Sequence, residues 1–161
     1  SSTRASGASE MAPKTRGSPG SARTPDPIEV AAGLVFRDQR LLITQRKPDD
    51  HLASLWEFPG GKREINESFE ECLVRELKEE LAIEATVLEM VESVRHDYPD
   101  RRVLIQFYRC AWVSGEPVAI GCQDFRWVRS GELNQYPFPA ADARLLALLD
   151  RSSKFWVGGR L

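Results

Sequence analysis

An α/β domain whose sheet is covered on both faces is what this sequence predicts, and three observations predict it. Residues 28–46 read as two strands that are apolar on both sides. A glycine loop then leads into a capped amphipathic helix over 68–81. A long antiparallel pair over 86–113 is followed by a second amphipathic run near the C-terminus. At 161 residues with 42% apolar content, the chain suffices for one domain with a real core.

Taken in order, residues 1–27 are rich in Ser, Gly, Pro, Ala and Thr, lack hydrophobic periodicity and read as a disordered tail. The first methionine is Met11, so residues 1–10 read as a cloning remnant, with an organelle transit peptide as the alternative. "IEVAAGLVF" and "RLLITQR" are the first two strands, joined by a tight turn around "RDQ". Ser68 followed by Glu71 makes a capping box, and Phe69, Leu73, Leu77 and Leu81 recur at every fourth position behind it. "TVLEMVESVRHDY" and "RRVLIQFYRCAWV" are the long pair, turning at "YPDR", and "DFRWV" is a further short strand. "PAADARLLALLDR" is the second helix, with Leu145, Leu146, Leu148 and Leu149 available for a buried stripe. The domain is placed at 28–150, leaving 151–161 as an extension to which the sequence assigns no role.

Charge narrows the function. The net charge is −2, which argues against a general nucleic-acid-binding surface. The tail carries +2, from Arg4, Lys14, Arg16 and Arg23 against Glu10 and Asp26, which leaves −4 on the remainder. No long apolar run or signal-peptide core is present. Cys72, Cys110 and Cys122 form no CxxC pair, and their odd number suits reduced thiols in a cytoplasmic protein. His51 and His96 lie outside any metal-ligand spacing and read as structural or exposed.

The informative stretch is "RELKEEL". Glu76, Glu79 and Glu80 stand at i, i+3 and i+4, crowding one helix face at a cost of roughly 0.2–0.5 kcal/mol for each like-charge pair. Just upstream lies "EFPGGKREINE", where adjacent Gly60 and Gly61 let the backbone turn tightly and approach a ligand. Carboxylates and carbonyls together suit a hard cation, and magnesium commonly joins such carboxylates to substrate phosphates. A bound cation relieves the crowding.

These residues resemble the Nudix signature, with Gly61, Glu67, Arg75, Glu76, Leu77, Glu79 and Glu80 in place. Ala82 stands where the signature has a glycine; if the backbone there is left-handed, alanine costs about 1 kcal/mol. The resemblance extends over roughly residues 28–150 to the MutT branch, through "RKPDDHLASLWEFPGGK", "YPDRRV" and "YPFPAAD". It implies an α/β/α sandwich with a mixed sheet between helices. It also implies cleavage of a nucleoside triphosphate between the α and β phosphates, yielding monophosphate and pyrophosphate. Glu76, Glu79, Glu80 and the Gly60 carbonyl would hold Mg2+, with Mn2+ as a substitute. Glu67 and Glu76 compete as the base, and Arg75 would orient the glutamates.

For the substrate, Arg46 matches a MutT-like arginine that could fork onto phosphate or base; otherwise it is an exposed strand-end residue. Arg101 and Tyr98 could cover the base, or be solvated turn residues. Phe58 is a candidate base contact or a core residue. Asp142 stands where MutT-like enzymes carry a base-reading asparagine; as a first-turn helix charge it has a second explanation. Gly121 aligns with a further glutamate of that branch, so a weaker magnesium site is expected, one that Gly121→Glu strengthens unless Asp124 already substitutes. The expected partner is a small nucleotide, with no stable nucleic-acid complex and no membrane, the chain acting as a monomer or homodimer. Three functions compete: sanitation of oxidised nucleotides such as 8-oxo-dGTP, hydrolysis of CTP, dCTP or 5-substituted forms, and a non-catalytic base-reading module.

Overall fold

The computed structural model describes residues 26–49, 53–152, 154 and 156. The expected tail, apart from Asp26 and Pro27, and His51 lie outside them. Strands β1 (Ile28–Arg37) and β2 (Arg40–Gln45) form the first hairpin. Asp38 and Gln39 take φ of 51° and 64° at its turn, the left-handed pair that matches the twist of two antiparallel strands. After two short strands, β3 (Trp56–Glu57) and β4 (Gly60–Lys62), come helix α1 (Phe69–Leu81) and the long pair β5 (Glu84–Tyr98) and β6 (Arg101–Ser114). Strand β7 (Asp124–Val128) and helix α2 (Ala143–Arg151) complete the order.

The sheet is mixed, as expected. Its path runs β3-β2-β1-β6-β5, with β4 on β1 and β7 on β2. β1 and β6 are parallel and the other pairs antiparallel. Alternation along β1 sends Ala32, Leu34 and Phe36 into one core with Leu145 and Leu149 of α2, and Ala31 and Val35 into another with Leu73, Leu77 and Leu81 of α1. That is the α/β/α sandwich.

α1 starts where its capping box places it. Ser68 Oγ accepts from the Glu71 N–H at 3.0 Å, and Glu71 Oε1 accepts from the Ser68 N–H at 2.9 Å. It ends at Ala82, whose φ of 58° and ψ of 35° are left-handed, with its N–H donating to the Leu77 and Lys78 carbonyls. A side chain with a Cβ is strained there. Ala82→Gly is therefore expected to raise unfolding stability by about 1 kcal/mol, read as a higher urea midpoint at constant m-value.

The second helix is shorter than its sequence suggests, because Ala140–Asp142 forms a 3-10 turn before it. Leu145 and Leu149 are fully buried, while Leu146 and Leu148 pack from the margin. Trp156, from the segment without an assigned role, closes this core: its ring meets Phe36 edge-on at 5.4 Å and its Nε1–H donates to the Leu149 carbonyl at 3.1 Å. The three cysteines are buried and free.

Candidate active site

The site begins at the glycines. A Cβ on Gly60 would fall 1.9 Å from the Ala31 carbonyl oxygen of β1, so only glycine lets β4 lie this close to the sheet. A Cβ on Gly61 would fall 2.3 Å from Cδ of Glu76. The Glu76 carboxylate occupies the space that Gly61 leaves. The Pro59 carbonyl accepts from the Gly33 N–H at 2.8 Å and fastens the loop to β1.

On the facing side of α1, Arg75 gathers the carboxylates. It donates to both oxygens of Glu67 at 3.1 and 2.7 Å, to Glu76 Oε2 at 3.0 Å, to Glu79 Oε1 at 3.3 Å and to the Lys62 carbonyl at 3.2 Å. Hydrogen bonds from Arg75 hold Glu67 down at about 2, helped by the Glu64 N–H. Glu76 behaves oppositely. It is 2% exposed, and burial raises its pKa despite Arg75. Its Oε1 has no hydrogen-bond partner among the described residues. Burial, then the charges of Glu76 and Glu57, push Glu80 up to about 9.

Burial disfavours ionisation of both Glu76 and Glu80, and a proton or a cation beside them would relieve it. Among the described residues no three acidic, imidazole or thiol side chains yet converge on one point, since Glu79 is turned to Arg75. The orphaned Glu76 oxygen, the glycine cradle and an all-oxygen donor set nonetheless fit a hard divalent cation.

At the other end lies Asp142, 5% exposed, which does not cap α2 with its side chain. Burial, then the charge of Glu57, raises it to about 7. Tyr98 is raised by burial and by Asp142, against the opposing charges of Arg46 and Arg101, so these four candidates are within electrostatic reach of one another. Arg46 is more than a solvated strand end: its Nη1–H donates to Glu57 Oε1 at 2.7 Å. Phe58 lies inside the α2-side core, stacked on Phe138 at 5.1 Å and edge-on to Phe107, which favours its packing reading over direct base contact. His96 meets Tyr98 edge-on at 4.5 Å. Sequence reasoning passed over Glu57. Its signal was an acid between two aromatics, Trp56 and Phe58, just ahead of the glycines.

Residues 31–148 match the NUDIX domain family. The chain belongs to the Nudix family. Nudix hydrolases as a family work with divalent metals, and this one is MutT-like. It is 41% identical to the CTP pyrophosphohydrolase of Escherichia coli K12 over 119 residues, 74% of this chain and 88% of that one. It is 34% identical to the 8-oxo-dGTP diphosphatase of the same organism over 125 residues, 77% and 97% of the two chains. The crystal structure of the MutT protein from Methanosarcina mazei Go1 shares the fold, with a TM-score of 0.72 at 22% identity, covering 80% of this chain and 97% of that one.

The loop position Gly121 lies beside Glu80. The Gly121 N–H donates to the Glu80 carbonyl at 3.1 Å, and a Cβ on Gly121 would stand 2.8 Å from Glu80 Cγ. A glutamate at 121 enters only by displacing Glu80. The gain expected from sequence is replaced: Gly121→Glu should leave the half-saturating magnesium concentration no lower than in the unmodified chain. Asp124 is tied to Arg126 at 2.7 Å, so Asp124→Asn should not move the same titration. A lower requirement for Gly121→Glu would show that both carboxylates fit.

Proposed function

We propose that this Nudix hydrolase sanitises the nucleotide pool, cleaving 8-oxo-dGTP and related oxidised nucleoside triphosphates to monophosphate and pyrophosphate. The observation that carries the reading is the pairing of two ends: buried Glu76 with an unpartnered oxygen at one, buried Asp142 at the other. A phosphate-handling end and a base-reading end are what a nucleotide needs. The several relatives named 8-oxo-dGTP diphosphatase support the base.

Glu76, Glu79, Glu80 and the Gly60 carbonyl would hold Mg2+, or Mn2+ in its place, which supplies charge neutralisation and an activated water for in-line attack. Arg75 orients these glutamates. Of the two base candidates, Glu76 keeps an oxygen without a protein partner, whereas both Glu67 oxygens are engaged and a carboxylate near 2 is a weak base at neutral pH. Glu67 then serves to fix Arg75. Arg46 is assigned to phosphate or base, Tyr98 and Arg101 to the base face, Asp142 to the base edge, and Phe58 to the floor beneath them. A small nucleotide is the partner, without nucleic acid or membrane. The enzyme is placed in the cytoplasm as a monomer or homodimer, a location that its three free thiols suit. Among the described residues, no helix is long and apolar enough to cross a membrane.

A second reading, CTP or dCTP hydrolysis, is favoured by the 41% identical relative of that name and by Asp142, since a carboxylate accepts from the cytosine amine. A non-catalytic module needs no complete acid set, and this chain has one. Steady-state kcat/KM over oxidised and normal nucleoside triphosphates, with products identified, tests the reading. Higher kcat/KM for 8-oxo-dGTP than for dGTP and CTP supports it, and a CTP optimum replaces it with the second.

A further inference from the structure

Arg63 is not among the matched signature positions, yet it is tied to one of them, Glu67. It follows β4 directly, and its N–H donates to the Glu29 carbonyl at 2.8 Å, which carries the pairing of β4 with β1 one residue past Lys62. Glu29 has the parity of Ala31 and Val35 along β1, so its side chain lies on the face of the sheet that α1 covers. The Arg63 side chain reaches the same face. Its Nε–H and Nη2–H both donate to Glu29 Oε1, the first at 2.8 Å. Its Cζ stands 5.3 Å from the ring centre of Phe69, the first residue of α1.

The other arm of the guanidinium points forward. Nη1–H donates to the Glu67 carbonyl at 2.7 Å, across the turn that leads into α1. That turn has Asn66 at a left-handed φ of 71°, and the Glu64 N–H donates to Glu67 Oε1 at 2.8 Å within it. Arg63 thus pins the main chain of Glu67 to β1, while the Glu67 carboxylate grips Arg75 with both oxygens. One line of contacts then runs from Glu29 through Arg63, Glu67 and Arg75 to Glu76 and Glu79.

The ion pair of Arg63 with Glu29 is partly exposed, and such pairs contribute little to stability by themselves. A planar fork that serves a carboxylate and a carbonyl at once sets direction, which the single ammonium of a lysine does not reproduce. Resting on the proposed metal-dependent hydrolysis, we infer that Arg63, held by Glu29, is a positioning residue: it sets the main chain of Glu67 and, through Glu67 and Arg75, the aim of the glutamates assigned to the metal. Partners that orient ligands from behind are worth about tenfold to a hundredfold in metal affinity or activity. Arg63 stands further back, so the low end of that range applies.

Arg63→Met keeps an apolar stem near Phe69 and removes the fork. It should lower kcat about tenfold, raise the half-saturating free magnesium concentration by about threefold to tenfold, and leave KM for the nucleotide at saturating magnesium within about twofold. Binding of Mn2+ alone to the nucleotide-free protein, followed by electron paramagnetic resonance of the free ion, should weaken by about the same threefold to tenfold. Arg63→Lys should resemble Arg63→Met, and Glu29→Ala should move every quantity the same way by less. In a Glu67→Ala background, Arg63→Met should change Mn2+ binding less than about twofold, because its effect runs through Glu67. Arg63→Lys indistinguishable from the unmodified protein would show that charge suffices and overturn the inference. So would equal losses with and without the Glu67 side chain, a change confined to melting temperature, or one confined to the nucleotide KM. If the unmodified protein turns over no nucleoside triphosphate, the proposed function fails and Mn2+ binding alone decides the role of Arg63.

Discussion

Glu80→Gln is expected to lower magnesium-dependent kcat by about a thousandfold while the protein stays folded. In the proposed function Glu80 is a magnesium ligand with Glu76, whose charge it feels, and metal stabilisation of phosphoryl charge is worth several kcal/mol, each tenfold in rate being about 1.4 kcal/mol. The amide keeps the side-chain shape and removes one charge. Stability gives an independent readout. Glu80 in the metal-free fold is raised to about 9, above its ordinary value of 4.5. The stability associated with its protonated form is complete below about 4.5 and lost as pH rises through that window. Metal-free Glu80→Gln should therefore melt above the unmodified protein at pH 8, and the gap should close toward pH 4. Turnover like that of the unmodified enzyme would remove Glu80 from the metal site.

Asp142→Asn is the second large effect, and it falls on choice of base rather than on rate. An ionised Asp142 only accepts hydrogen bonds, whereas asparagine both donates and accepts. 8-Oxoguanine offers an N7–H that guanine lacks, and cytosine offers its amine. The ratio of kcat/KM for 8-oxo-dGTP to that for dCTP should shift by about tenfold to a hundredfold, the range of discrimination expected of a well-placed edge contact. Because burial raises Asp142 to about 7, its protonated form, a donor, is populated just below neutral pH. The ratio should therefore vary between pH 6 and 8 in the unmodified enzyme and stay flat in Asp142→Asn. Equal losses on every nucleotide would show that Asp142 does not read the base.

Helix α1, which carries the candidate site, was legible because its signals are local. Ser68 and Glu71 are three residues apart, the leucines recur every four, and the crowding of Glu76, Glu79 and Glu80 is visible within five residues. The long strands and the tight hairpin were legible for the same reason. Strands β3 and β4 were not, since two or three residues carry no periodicity and exist only through pairing with β2 and β1. Trp156 was illegible because its partner Phe36 is far away in sequence. The pair of Glu57 with Arg46 was hidden similarly, because pairing of β2 with β3 is what brings them together. The crowding of Gly121 against Glu80 needed coordinates, because forty residues separate the two in sequence.

β1 is a party wall. Ala32, Leu34 and Phe36 belong to one chamber and Ala31 and Val35 to the other, and the backbone of Ala31 and Ala32 is what Gly60 rests against. Close-packed interiors transmit displacement rather than absorb it. A sequence drifting under selection cannot renovate the chamber behind α2 without tilting the floor on which Gly60 and Gly61 stand. The two helical layers are thus not interchangeable parts, and grafting a foreign α2 layer onto this sheet would be felt first at Gly60, on the side that was left untouched.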